Sequence, residues 1–89
     1  MAYNNRGNAG DDKGDLDGAL KDYTEAIRLK PDDATAYYNR GIARRAKGDP
    51  ASTKAAIADF QKYLDLGGGI RDGDQGRMEQ FIRELKNRL

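Results

Sequence analysis

Displaced by 34 residues, the chain falls on a copy of itself. Ala2 meets Ala36, Tyr3 meets Tyr37, Asn5 meets Asn39, Arg6 meets Arg40 and Gly7 meets Gly41. The register continues through Ala9 on Ala43, Lys13 on Lys47, Gly14 on Gly48 and Asp15 on Asp49. That is nine identities in the fourteen positions from 2 to 15, where unrelated segments share about one. Beyond Gly48 the offset becomes 37: Ala19 meets Ala56, Leu20 meets Ile57, Asp22 meets Asp59, Tyr23 meets Phe60, Ile27 meets Leu64 and Leu29 meets Leu66. Three residues are thus inserted between Gly48 and Ala56. A unit of this length that recurs in tandem is one supersecondary motif, unable to bury its apolar face alone and stacked on its own copy.

The periodicity inside the unit is helical. From Leu16 to Leu29 the residues Leu16, Ala19, Leu20, Tyr23, Ala26 and Ile27 recur at steps of three and four, which places them on one helical face. Asp15 can cap that helix and Pro31 stops it. Asp32 and Asp33 are cap candidates for a helix running to about Lys47. The turn Gly48-Asp49-Pro50 follows, with Pro50 suited to a first helical turn. The insertion leaves two readings open over 49–55: a longer loop with Ser52 or Thr53 as the cap, or nearly an extra turn of helix, with helix expected by Lys54. Gly67-Gly68-Gly69 reads as a flexible break and the stretch to Gly76 as loop. Met78, Phe81, Ile82, Leu85 and Leu89 then form an apolar stripe, with Arg77, Glu79, Arg83, Glu84, Lys86 and Arg88 turned mostly to water. Such a helix can cover the open face of the last unit. Composition agrees: 35% charged and 37% apolar residues with no valine suit amphipathic helices around a thin core.

At this point the sequence resembles the tetratricopeptide repeat family. Tyr3, Gly7, Ala19, Tyr23, Ala26 and Pro31 stand at that family's aromatic, small, small, aromatic, small and proline positions, and Tyr37, Gly41, Ala56 and Phe60 repeat the pattern. The second unit departs at Tyr63, where a small residue is usual, and at Gly68, where proline is usual. The first departs at Gly10, where a large residue normally packs. The likeness covers about residues 1–68. It implies an all-α fold of antiparallel helix-turn-helix repeats, an alpha-alpha superhelix of five helices. One domain would span 1–89, with repeat one over 1–33, repeat two and its insertion over 34–68, and a capping helix over 72–89. Gly7 and Gly41, each costing about 1 kcal/mol against alanine within a helix, then make sense as points where a neighbouring helix approaches closely.

The resemblance also implies a function, since the first helix of each pair in that family lines a concave groove that receives peptides. The corresponding positions are Asn4, Asn8 and Asp11 in the first helix and Thr35, Tyr38, Ile42 and Arg45 in the third, with Asn39 adjacent. An asparagine amide both donates to and accepts from a peptide backbone, and Tyr38 offers flat area at small entropic cost. One branch of the family clamps two carboxylates. Asn8 and Asn39 match its two asparagines, but Asn4 replaces its first lysine and no third repeat supplies its other cations.

Reactive groups are scarce. Cysteine and histidine are absent and Ser52 is the only serine, so neither a triad nor a thiolate site is expected. Asp11-Asp12, Asp15-Asp17 and Asp32-Asp33 sit at helix starts, where capping explains them better than acid-base work. Asp72, Gly73, Asp74 and Gln75 resemble part of an oxygen-rich cation loop, but no glutamate closes the pattern, and a loop with a helix cap is the better reading. Gly67 to Gly69 is no phosphate cradle, lacking both a preceding strand and a following Lys-Ser or Lys-Thr pair.

The expected function is therefore a protein–protein interaction scaffold that binds a peptide or partner subunit, with no catalysis and no cofactor. Self-association, or packing within a longer repeat protein, is the second expectation, because the repeat begins within three residues of Met1 and leaves the first helix uncovered. RNA or another anionic ligand on Arg40, Arg44, Arg45 and Lys47 is a third. A solvated face paired to nearby aspartates explains those cations better, and a net charge of +1 is far from that of a dedicated nucleic-acid binder. No apolar run approaches the roughly 20 residues of a membrane span. A soluble protein is expected, with the cytoplasm as the favoured compartment.

Overall fold

Aspartates and glycines set the helix boundaries. The computed structural model of the protein describes residues 16–89, which form α1 (Leu16–Leu29), α2 (Ala34–Lys47), α3 (Pro50–Asp65), α4 (Gly68–Asp72) and α5 (Gln75–Asn87). Among the described residues there is no strand. The expected first helix, with Tyr3, Gly7 and Gly10, the Asp15 cap and the groove positions Asn4, Asn8 and Asp11 lie outside the described residues.

After α1, the amide of Lys30 closes on the carbonyl of Ala26 at 3.0 Å, and Pro31 turns the chain. Asp33 rather than Asp32 caps α2, accepting from the Ala36 amide at 3.3 Å. Gly48, with φ of 78°, ends the helix in the left-handed region that a side chain disfavours.

The insertion is helix, not loop. Asp49 accepts from the Ser52 amide at 3.0 Å, Pro50 occupies the first turn, and the Thr53 hydroxyl donates to the Asp49 carbonyl at 2.9 Å. Neither Ser52 nor Thr53 is the cap. Proline at the first helical position leaves one fewer amide to satisfy, so the helix starts four residues before Lys54. The result is a 16-residue α3 opposite 14-residue α1 and α2.

Residues 67–76 are also more ordered than their glycines suggest. Gly67 and Gly73 adopt φ of 85° and 74° and bracket the short helix α4. The Asp74 amide returns to the Gly69 carbonyl at 3.0 Å. A β-carbon on Gly68 would overlap the Tyr63 ring, and one on Gly69 would lie 2.6 Å from Leu64 Cδ2 and 2.9 Å from Gln75 Cα. These glycines permit close packing; they do not form a flexible break. The two departures of the second unit explain each other, because the large Tyr63 occupies the space that a side chain at position 68 would need.

Antiparallel neighbours stack in sequence order, with α2 packed most extensively on α3, α1 on α2 and α5 on α3. Gly41 lies against Phe60, where a β-carbon would come within 2.7 Å of the ring. Phe60, Tyr63, Met78, Ile82 and Leu85 form the main core with Ala34 and Ala56, while Ala19, Tyr23 and Ala43 join α1 to α2. Leu89 does not complete the α5 stripe. It lies beyond the helix end at Asn87 and is 57% exposed. No helix among the described residues is long and apolar enough to cross a membrane.

Candidate functional site

Thr35, Tyr38, Ile42 and Arg45 are spaced by three, four and three residues along α2, so one helical face carries all four. Thr35 is exposed, the other three are half-buried, and Asn39 beside them is buried. Part of this face belongs to the core. The Tyr38 ring tilts against Tyr63 at 5.3 Å and Phe60 at 6.2 Å between centroids, and Ile42 packs on the same cluster. Tyr38 therefore offers only part of its ring to a ligand, because Tyr63 takes the rest. No hydrogen bond joins the Asn39 side chain to another described residue, although 9% exposure leaves it little water.

Arg45 ends the stripe, its guanidinium carbon 4.5 Å from the centroid of the Phe81 ring on α5. Arg77 lies over the same ring at 5.8 Å. Phe81 is half-buried and also packs on Phe60, with centroids 6.0 Å apart. Sequence periodicity assigns Phe81 to the core stripe alone. Its second role, as the platform for two arginines at the edge of the α2 face, has no signature in residue spacing.

The other cations of α2 are held internally. Arg40 donates to both oxygens of Asp59, from Nε at 3.0 Å and Nη2 at 2.8 Å, and Arg44 Nη1 donates to Asp59 Oδ2 at 2.8 Å. Asp59 is 2% exposed, so this paired fork neutralises a carboxylate that would otherwise be costly to bury. Arg40 also reaches Thr24 Oγ1 on α1 at 3.4 Å and lies over the Tyr37 ring. Lys47 donates to Asp17 at 2.7 Å, and that bond, with the aspartate charge, holds its ammonium above the ordinary value. On α1 the bond from Arg28 lowers the Glu25 carboxyl.

Asp74 is engaged as well. Its Oδ1 lies 2.9 Å from the Tyr63 hydroxyl, which shares its one proton with the Gly68 carbonyl at 3.1 Å, and its Oδ2 lies 3.4 Å from Arg77. It stands at the start of α5, but its side chain makes no capping hydrogen bond there. Asp74 thus holds the expected cap position, but its carboxylate turns to Tyr63 instead of to the first amides of the helix.

Comparison with known proteins agrees with this architecture. A family model described as a TPR repeat matches residues 11–48. Tetratricopeptide repeat protein 36 of Bos taurus is 45% identical over 77 residues, covering 84% of this chain and 39% of its own length. That of Homo sapiens is 41% identical over 76 residues, covering 85% and 38%, and that of Mus musculus 46% over 56 residues, covering 63% and 28%. The chain thus spans about two fifths of the length of the bovine and human relatives. Gly41 meets Phe60 between α2 and α3, the glycine and the aromatic standing at the family's small and aromatic positions, and with relatives of this kind the chain belongs to the tetratricopeptide repeat family.

Proposed function

We propose that the chain is a protein–protein interaction scaffold, a single domain of two repeats (1–33 and 34–68) closed by a capping helix within 72–89. It binds a peptide or a partner subunit non-covalently, without cofactor or catalytic step. The observation that carries this reading is the α2 stripe of Tyr38, Ile42 and Arg45, half-buried and rimmed by Phe81. Partly exposed aromatic and aliphatic surface beside an arginine is the composition that anchors protein interfaces. Asn39 adds a buried amide whose side chain has no hydrogen-bond partner among the described residues, suited to a peptide backbone. By the family register Asn4, Asn8 and Asp11 would also line the groove, with Thr35 joining them from α2.

The engagement of Arg40 and Arg44 by Asp59 supports a structural role for most of the basic stretch over RNA binding. The test is to follow backbone amide shifts while titrating peptides. Shifts clustered on Asn8, Tyr38, Asn39 and Ile42 are expected; shifts confined to other surfaces would remove the groove assignment.

A further inference from the structure

We infer that the groove selects an acidic peptide, one that sets an Asp or Glu on Arg45 and Arg77 and a neighbouring apolar residue on Tyr38 and Ile42. The inference rests on the groove reading above and adds the chemistry of its ligand.

Among the cations of α2, charge pairing singles out Arg45. Arg40 and Arg44 share Asp59, and Lys47 holds Asp17. Among the described residues, no carboxylate or other hydrogen-bond acceptor pairs with Arg45, whose guanidinium instead lies 4.5 Å from the Phe81 centroid. A guanidinium stacked on a ring keeps its in-plane N–H fork available and has already lost much of its rotamer freedom. It is preorganised for a planar, bidentate anion, which a carboxylate is. Arg77 over the same ring adds a second positive charge, paired among the described residues only with Asp74 at 3.4 Å. Among the described residues, Asp74 is the one carboxylate paired to either guanidinium, and it pairs with Arg77 alone, which leaves Arg45 to an incoming acidic side chain.

The spacing fixes where the acid sits in the ligand. Ile42 and Arg45 are three residues apart, about 4.5 Å along a helix axis. An extended peptide advances about 3.3 Å per residue. The acidic residue therefore lies one or two positions from the apolar one.

The experiment is selection of a displayed random-peptide library on the full chain, followed by affinity measurements on wild type, Arg45→Gln and Arg45→Lys and by amide-shift mapping. Selected sequences are expected to place Asp or Glu within two residues of an apolar side chain. They should bind about tenfold more weakly to Arg45→Gln, and amidated versions of the peptides should lose about as much against wild type. Arg45→Lys, which keeps the charge without the planar fork, should fall between. Thermal melts of both variants separate a lost site from a lost fold. Neutral or basic peptides that still shift Tyr38 and Ile42 would overturn the acidic preference and leave the groove standing. Peptides that shift other surfaces, no selected peptide at all, or an RNA oligomer bound through Arg45 in their place would overturn both.

Discussion

Phe60 Cε1 occupies the space that a β-carbon on Gly41 would need, only 2.7 Å away. Here α2 and α3 interlock, and Phe60 is fully buried, so its ring has nowhere to retreat. Gly41→Ala gains roughly 1 kcal/mol of helix propensity, against about 1–3 kcal/mol of overpacking. A net loss of about 1 kcal/mol is expected in urea denaturation. Gly41→Val, with no comparable gain, should be worse. Trimming the ring in Phe60→Leu should make Gly41→Ala less harmful, a coupling that a double-mutant cycle reads directly.

Asp59 offers the sharpest electrostatic test. Removing it in Asp59→Ala leaves Arg40 and Arg44 in a partly buried site without their shared carboxylate. Breaking a buried pair costs about 3–5 kcal/mol, and the lower end is expected because the Arg44 side chain is 26% exposed and can swing to water. Substituting the arginines singly should cost less, since each leaves the other to neutralise Asp59. Chemical denaturation of the three variants checks the order.

Tyr63→Phe removes one hydroxyl and little volume. It leaves the Gly68 carbonyl and Asp74 Oδ1 without their shared donor, at a cost of about 1–2 kcal/mol. The loss should be local, with amide hydrogen exchange accelerating in α4 and the first turn of α5 more than in α1.

The start of α3 should respond to acid. The Asp49 carboxyl lies below its ordinary value of 3.8, chiefly because it accepts from Ser52. A carboxyl whose folded pKa is depressed stabilises the fold above the unfolded value, and that stabilisation disappears as pH falls through the folded one. The first turn of α3 should therefore fray below about pH 4, detected as faster exchange at Ser52 and Thr53. Asp49→Asn, which keeps a capping oxygen without the titration, should remove the pH dependence of that turn.

Helix faces were legible because a period of three to four residues needs only local sequence: Ala19, Tyr23 and Ala26 are buried on α1, and Met78, Ile82 and Leu85 on α5. The close approach at Gly41 was legible too, since a glycine inside a helix has a local cost that only tertiary packing offsets. What local pattern could not carry were relationships between segments. Tyr63 and Gly68 each look like a defect in the repeat until the ring is placed in the space the glycine leaves. The start of α3 depended on whether Asp49, Ser52 or Thr53 took the first amides, a competition among three capable caps. At the site, spacing gathered Thr35, Tyr38, Ile42 and Arg45 on one face, yet it could not show that Tyr63 covers part of Tyr38 or that Phe81 carries Arg45.

The bond network around Tyr63 has a consequence for folding order. A helix of 13 residues such as α5 is marginal in water by itself, and the groups that orient its start are anchored by a side chain from the preceding long helix. Its helicity is therefore on loan from the second repeat. A spectroscopic label on α5 would act as a reporter of whether that repeat is intact, reading out damage introduced as far away as the Gly41 contact.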